Sequence, residues 1–146
     1  MTKPKLVSKL KKRSNWWNKA KKIRNEADTK WQQVGVLKGK MCEICLRESA
    51  VCCHHIINKS LSNRLRYELI NGIRVCQGCH NKIHSTADPA IFRRIEEVVG
   101  KERMAELERL RREEVKVNEE FYQTNLEKLE KCLTTNSNSQ VSDRWF

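Results

Sequence analysis

Long apolar runs are missing from this chain. No stretch of about 18 consecutive apolar residues occurs among its 146, so neither a membrane-spanning helix nor a secretory leader is expected. With 38% hydrophobic and 33% charged residues and a mean hydropathy of −0.75, the composition fits a soluble, intracellular chain, and a cytoplasmic location is expected. No internal repeat is present, which excludes stacked-repeat architectures. Negative charge is scarce as well: 18 acidic against 30 basic side chains leave a formal charge of +12. The length allows one domain, or a compact core with helical appendages.

The positive excess is unevenly placed. Residues 1–40 hold 13 basic and 2 acidic side chains, residues 41–88 hold 6 and 4, and residues 89–146 hold 11 and 12. Nearly all of the excess therefore lies ahead of the first cysteine. A basic extension of this kind suits a polyanion, with nucleic acid as the leading partner, whereas a solubilising tail is the plainer alternative.

Residues 1–13 have too few apolar positions to fold alone and read as a flexible basic arm. From Ser14 to about residue 35, Trp16, Ala20, Ile23, Ala27, Trp31 and Val34 recur at intervals of four and three. They predict an amphipathic helix whose tryptophans dock on a core and whose opposite face carries Lys21 and Lys22. Residues 89–133 predict further helices. Asp88-Pro89 is a helix start, Gly100 a break, and Leu126, Leu129 and Leu133 lie on a last apolar stripe. Their mixed-sign charges suit a packing or dimerising element. Residues 134–146 form a polar tail.

Residues 41–88 also lack something: an apolar run able to make an ordinary core. They are rich instead in cysteine and histidine, so metal coordination must replace the missing burial. Cys42-x2-Cys45 and Cys76-x2-Cys79 have the spacing of two turns that close four thiolates around one tetrahedral Zn2+. Cys52 and Cys53 read as small packed residues, because neighbours on a strand point to opposite faces and cannot close on one ion.

Histidine is absent outside residues 54–84, and all four fall in one constellation: His54, His55, His80 and His84. His80 and His84, four apart on a helix, can share a cation. Of the adjacent pair on a strand, one can join that cation while the other stays available as a general base near neutral pH.

Together these residues resemble the HNH endonuclease family with its ββα-metal motif. The likeness rests on Cys42-x2-Cys45, His54-His55-Ile56-Ile57, Leu65-Arg66-Tyr67, and the run Asn71-Gly72-Ile73-Arg74-Val75-Cys76-Gln77-Gly78-Cys79-His80 followed by His84. It implies an α+β fold: a small zinc-stabilised core flanked by an N-terminal helix and C-terminal helices. It implies that His54, His80 and His84 hold a catalytic divalent ion, that His55 is the general base, and that Asn71 fixes the loop bearing His55. The implied reaction is hydrolysis of DNA phosphodiesters to 5′-phosphate and 3′-hydroxyl ends. Arg66 stands in a matching element and is the favoured phosphate contact of the site. Lys59, Arg64, Arg74 and Lys82 are further phosphate candidates, with Lys11, Lys12, Arg13, Lys21 and Lys22 from the basic segment. An all-imidazole set favours Mn2+, Ni2+ or Zn2+, while the family commonly works with Mg2+.

The flanks are similar to phage NinG/Rap-like recombination endonucleases. Glu26-Ala27-Asp28 and Trp31 precede the first cysteine pair, and Phe92, Gly100, Leu107 and the break at Val115-Lys116 follow the second. This likeness implies phage or prophage DNA recombination, branched DNA as a substrate, action in the host cytoplasm, and a homodimer through the C-terminal helices. A noncatalytic zinc-ribbon DNA-binding protein is the alternative; it accounts for the charge and the cysteines but leaves the four histidines unexplained.

Overall fold

The structure, a computed structural model, describes residues 4–85 and 88–135, with side chains from Asn15 onward. The fold is α+β, mostly helical, with one two-stranded antiparallel sheet. Helix α1 spans Pro4–Leu37, strand β1 Cys52–His55, a 3-10 turn Leu69–Asn71, and strand β2 Gly72–Val75. Helices α2 (Gln77–Ser85), α3 (Pro89–Val99), α4 (Lys101–Arg111) and α5 (Glu119–Thr135) complete the chain. No helix among the described residues is long and apolar enough to cross a membrane.

Helix α1 corrects two sequence expectations. Residues 4–13 are helical and continue into the amphipathic helix, where a flexible arm was expected. Lysine, leucine and arginine are good helix formers, and Pro4 occupies the first helical position, where its missing N–H costs nothing. The helix also runs through Gly35 to Leu37. A Cβ at Gly35 would lie 2.6 Å from Cys53 Sγ, so this glycine is kept for close approach to β1 rather than for ending the helix.

Two hydrophobic cores divide the molecule. The first gathers Cys42, Ile44, Leu65, Ile73, Val75, Cys76 and Cys79 with Ile91, Ile95, Val99, Leu107 and Leu110 of α3 and α4. The second joins Ala27, Trp31 and Val34 of α1 to Cys53, Tyr67, Leu126 and Leu129, the last two from α5. Much of the apolar stripes of α3, α4 and α5 is therefore packed within the chain. The physical reason is the length of α1, which gives α5 a helix to lie against.

Local signals explain the helix ends. The Asp88 carboxylate accepts the Ala90 N–H at 2.9 Å, with Pro89 at the first helical position, and Gly100 takes φ +76° between α3 and α4. Asn118 Oδ1 accepts the Phe121 N–H at 2.8 Å and starts α5.

The sheet is the seam between the cores. Register pairs Cys52 with Val75, Cys53 with Arg74, His54 with Ile73 and His55 with Gly72. Strand alternation then turns Cys53 and His55 toward α1, and Cys52 and His54 away from it. Gly72 has no room for a side chain, since a Cβ there would sit 2.5 Å from Cys53 Sγ and 3.1 Å from Trp31.

Candidate metal and catalytic centre

Four cysteines come together as their spacing predicts. The sulfurs of Cys42, Cys45, Cys76 and Cys79 all lie within 4.8 Å of one another, and Cys45 and Cys76 are 3.9 Å apart. A tetrahedral Zn2+ with bonds of about 2.3 Å separates its sulfurs by about 3.8 Å, so the donor set can hold a structural metal such as zinc. The turns prepare it. Leu46, at φ +56°, closes the first turn through its N–H to the Cys42 carbonyl at 3.0 Å. Backbone N–H groups of Arg47 and Glu48 aim at Cys45 and pull its thiol down to about 6, favouring the thiolate that binds metal. In the second turn the Cys79 N–H donates to Cys76 Sγ at 3.4 Å. Cys52 and Cys53 stay out of this cluster, and burial pushes the Cys53 thiol up to about 12.

A second cluster forms on the opposite strand edge. Ring nitrogens of His54, His80 and His84 lie within 4.8 Å of one another, with ring centroids 4.6 to 5.8 Å apart. Helix α2 places His80 and His84 one turn apart on one face, and β1 delivers His54 against them. Burial, then the neighbouring His84 and His80, push His54 down to about 4; burial and His84 lower His80 as well. Near neutral pH His54 and His80 therefore present lone pairs, the state in which imidazoles bind a metal cation.

His55 takes no part in that trio. Its ring stacks on Trp31 with centroids 3.8 Å apart and planes 8° from parallel, and its Nε2 sits 2.9 Å from the Arg66 carbonyl oxygen. A carbonyl only accepts, so Nε2 donates and Nδ1 is the nitrogen that carries the lone pair. Burial lowers the pKa of His55, against the opposing pull of the Arg66 carbonyl, and keeps the ring neutral. This imidazole is held in place rather than free.

Asn71 explains why the loop after β1 keeps its shape. It is fully buried. Its Oδ1 accepts the Ile57 N–H at 2.8 Å, and its Nδ2 donates to the carbonyls of Ile57 (2.9 Å) and Leu65 (3.2 Å). One amide thus ties the segment following His55 to the segment preceding Arg66.

The basic candidates divide. Arg66, expected to contact phosphate, is a correction: its Nη2 and Nε bind Asp28 at 2.6 and 3.0 Å, and its side chain is 12% exposed. Burial alone would raise the Asp28 carboxyl, but the hydrogen bonds and charge of Arg66 outweigh it and hold the pKa below its ordinary value. Arg74 is also withdrawn, packed under Gly39 and facing Glu43 at 3.6 Å. Arg64 is engaged by Glu68 and by Glu113, the latter at 2.9 Å. In each case a nearby carboxylate, invisible to sequence spacing, claims the guanidinium. Lys59 lies 3.3 Å from Asp28. Lys21, Lys22 and Lys82 are exposed. The side chains of Lys11, Lys12 and Arg13 lie outside the described residues.

Two supports carry no recognisable sequence signal. Gln32 accepts the Cys53 N–H at 2.8 Å and donates to its carbonyl at 2.6 Å, serving α1 as a substitute third strand beside β1. Arg103, buried in α4, donates to the carbonyls of Ile70 (2.8 Å) and Gly72 (2.5 Å). Asp28 fixes Arg66, whose carbonyl in turn holds His55. Trp31 was expected to dock on a core and does, 1% exposed; its role beneath His55 comes from the packing. Trp16, expected to dock likewise, is 45% exposed.

No protein-family profile, curated protein or solved structure matches this chain.

Proposed function

We propose that this protein is a metal-dependent endonuclease of the HNH type, hydrolysing DNA phosphodiesters to 5′-phosphate and 3′-hydroxyl ends. The observation that carries the reading is the division of an adjacent histidine pair. His54 converges with His80 and His84 on one point, while His55 is stacked on Trp31 and held at Nε2 by a backbone carbonyl.

Hydrolysing a phosphodiester needs a nucleophile made on the spot and a counter-charge for the developing anion. His54, His80 and His84 would hold a divalent ion, which would supply Lewis acidity toward the phosphodiester. The chain does the rest. Nδ1 of neutral His55 takes the proton from a water as it attacks phosphorus, and the Arg66 carbonyl stabilises the resulting imidazolium through Nε2–H. Trp31 keeps the ring in plane, and Asn71 holds the loop that leads to the carbonyl. The four cysteines, with a structural zinc, tie β2 and α2 to the first turn, so the ligand helix and the base strand keep their spacing. Exposed Lys21, Lys22 and Lys82 are placed to attract the DNA backbone, and recombination-linked processing of branched DNA is the role we assign. Mn2+, Ni2+ and Mg2+ are the candidate ions.

The test is cleavage of supercoiled, linear and four-way-junction DNA with each of these metals. His55→Ala is expected to lose at least about 100-fold in rate while keeping zinc content and DNA binding. Wild-type cleavage by that variant overturns the base assignment. DNA binding by the unaltered protein without cleavage under any metal favours the noncatalytic zinc-ribbon alternative.

A further inference from the structure

One exposed aromatic has no use in the site just described. Trp17 is 60% exposed, the most exposed tryptophan among the described residues, with Trp16 beside it at a centroid distance of 6.2 Å. The pair flanks a small cleft of about 60 Å³ between α1 and the segment leading into α5, shared with Lys21, Arg24, Val117 and Tyr122. Two adjacent tryptophans in water are costly unless something covers them.

Their surroundings say what that is. The segment carrying them is the one with 13 basic and 2 acidic residues, so the complementary partner is a polyanion that also presents flat apolar faces. Trp17, Lys21, Arg24, Asp28 and Trp31 follow at intervals of four and three and make one line along α1. Arg24 on that line has a buried Nε with no hydrogen-bond partner. The line ends at the candidate centre, where Asp28 holds Arg66 and Lys59 and Trp31 lies under His55. The acidic residues of α5 fall on the other side, next to Trp16: Glu119 pairs with Lys19 at 2.6 Å, and Glu119, Glu120 and Glu127 line a separate hollow beside Trp16. A strand is thereby directed to the Trp17 side.

We infer that Trp17, backed by Trp16, is a stacking platform for an unpaired DNA base at a duplex end, and that α1 sets its distance from the scissile phosphate. The inference rests on the nuclease reading for the cutting position, but not for binding. At 1.5 Å per residue, the fourteen positions from Trp17 to Trp31 span about 21 Å and return to within about 40° of the same face. That length matches about six base pairs at 3.4 Å each. The platform holds the unpaired base, Lys21 and Arg24 follow the backbone, and His55 meets the strand about six pairs inside the duplex.

The experiment uses the full chain, zinc-loaded and carrying His55→Ala so that DNA survives. Binding of a short blunt DNA duplex is compared by fluorescence anisotropy with binding of the same duplex bearing a single-stranded tail. The tail is expected to tighten binding about tenfold, the scale of one base–aromatic stack. Adding Trp17→Ala should bring the tailed duplex to within about twofold of the blunt one, and Trp17→Phe should retain most of the preference. A tail preference unchanged in Trp17→Ala, or absent from the parent, overturns the platform. Zinc content and thermal midpoint check that Trp17→Ala is folded; if it is not, Trp17→Phe decides, since it must lose part of the tryptophan quenching that the tail causes. With an active chain, cuts should cluster about six base pairs from the tail, and clustering that survives Trp17→Ala also overturns the platform. A chain that cleaves no DNA but keeps a Trp17-dependent tail preference overturns the nuclease reading alone.

Discussion

The two cores are built on different physical principles. Around the cysteines, β2, α2, α3 and α4 gather a core in which aliphatic side chains pack with the cysteine cluster. Along α1, the second core is aromatic: Trp31, Tyr67 and the partly buried Phe121 and Tyr122 pack with the leucines of α5. The hairpin is shared, with His54 turned to the α2 ligands and His55 to Trp31. Adjacent residues thus depend on separate sources of stability. The lesson is that the His54 cluster and the stacked His55 can be damaged independently, although a single peptide bond joins them.

The largest break in that comparison is Cys76→Ser. Structural zinc contributes on the order of 10 kcal/mol to domains of this kind, so the variant is expected to lose its zinc and the cooperative unfolding of the cysteine half. Metal analysis with circular dichroism checks it, and a natively folded, zinc-free variant contradicts the structural role. Trp31→Ala strikes the other core. Removing a fully buried tryptophan costs about 3–5 kcal/mol, and His55 loses the ring beneath it, yet zinc content should stay as in the unaltered protein. Equal zinc loss in both variants would show that the cores are not separable.

Asn71→Ala comes third, because it touches the loop that both halves share. It leaves the Ile57 N–H and two carbonyls without their amide partner, at about 1–3 kcal/mol. Chemical denaturation is expected to shift by that amount, and on the proposed function the rate of DNA cleavage should fall further than stability does.

Asp28→Asn has the smallest effect and sharpens the seam. A carboxyl whose folded pKa is depressed contributes stability that is present above its unfolded pKa of about 3.9 and disappears as pH falls through the lower folded value. The unaltered protein should therefore be more stable than Asp28→Asn by about 1 kcal/mol near neutrality, and the two thermal midpoints should converge in acid below about pH 4. A midpoint difference that persists there would assign the effect to packing instead of to the Arg66 ion pair.

Much of the site was legible because its chemistry is encoded at short range. A Cys-x2-Cys turn brings two sulfurs together whatever surrounds it, and His-x3-His shares one face of any helix. Strand alternation likewise separates His54 from His55. The helix start at Asp88 was readable for the same reason. The basic residues were not, because the fate of a guanidinium depends on which carboxylate the fold brings near. Asp28 lies 38 positions from Arg66, and Glu113 lies 49 from Arg64. The arm was misread in the other direction: low hydrophobicity forbids burial of residues 4–13 but does not forbid a helix that continues from a packed one.

Sequence alone determined which cysteines share a turn and which histidines share a helix face, the placing of charge ahead of the first cysteine and the apolar stripes of the helices. These follow from spacing and periodicity, which act over a few residues. Tertiary structure alone decided what those stripes meet: α5 on α1, Trp31 under His55, Gln32 along β1, Gly35 and Gly72 closed on Cys53. Spacing states which side chains share a face. Only packing, where distant segments exclude one another's volume and satisfy one another's polar groups, decides which remain exposed, and it left Trp17 in solvent on a basic helix.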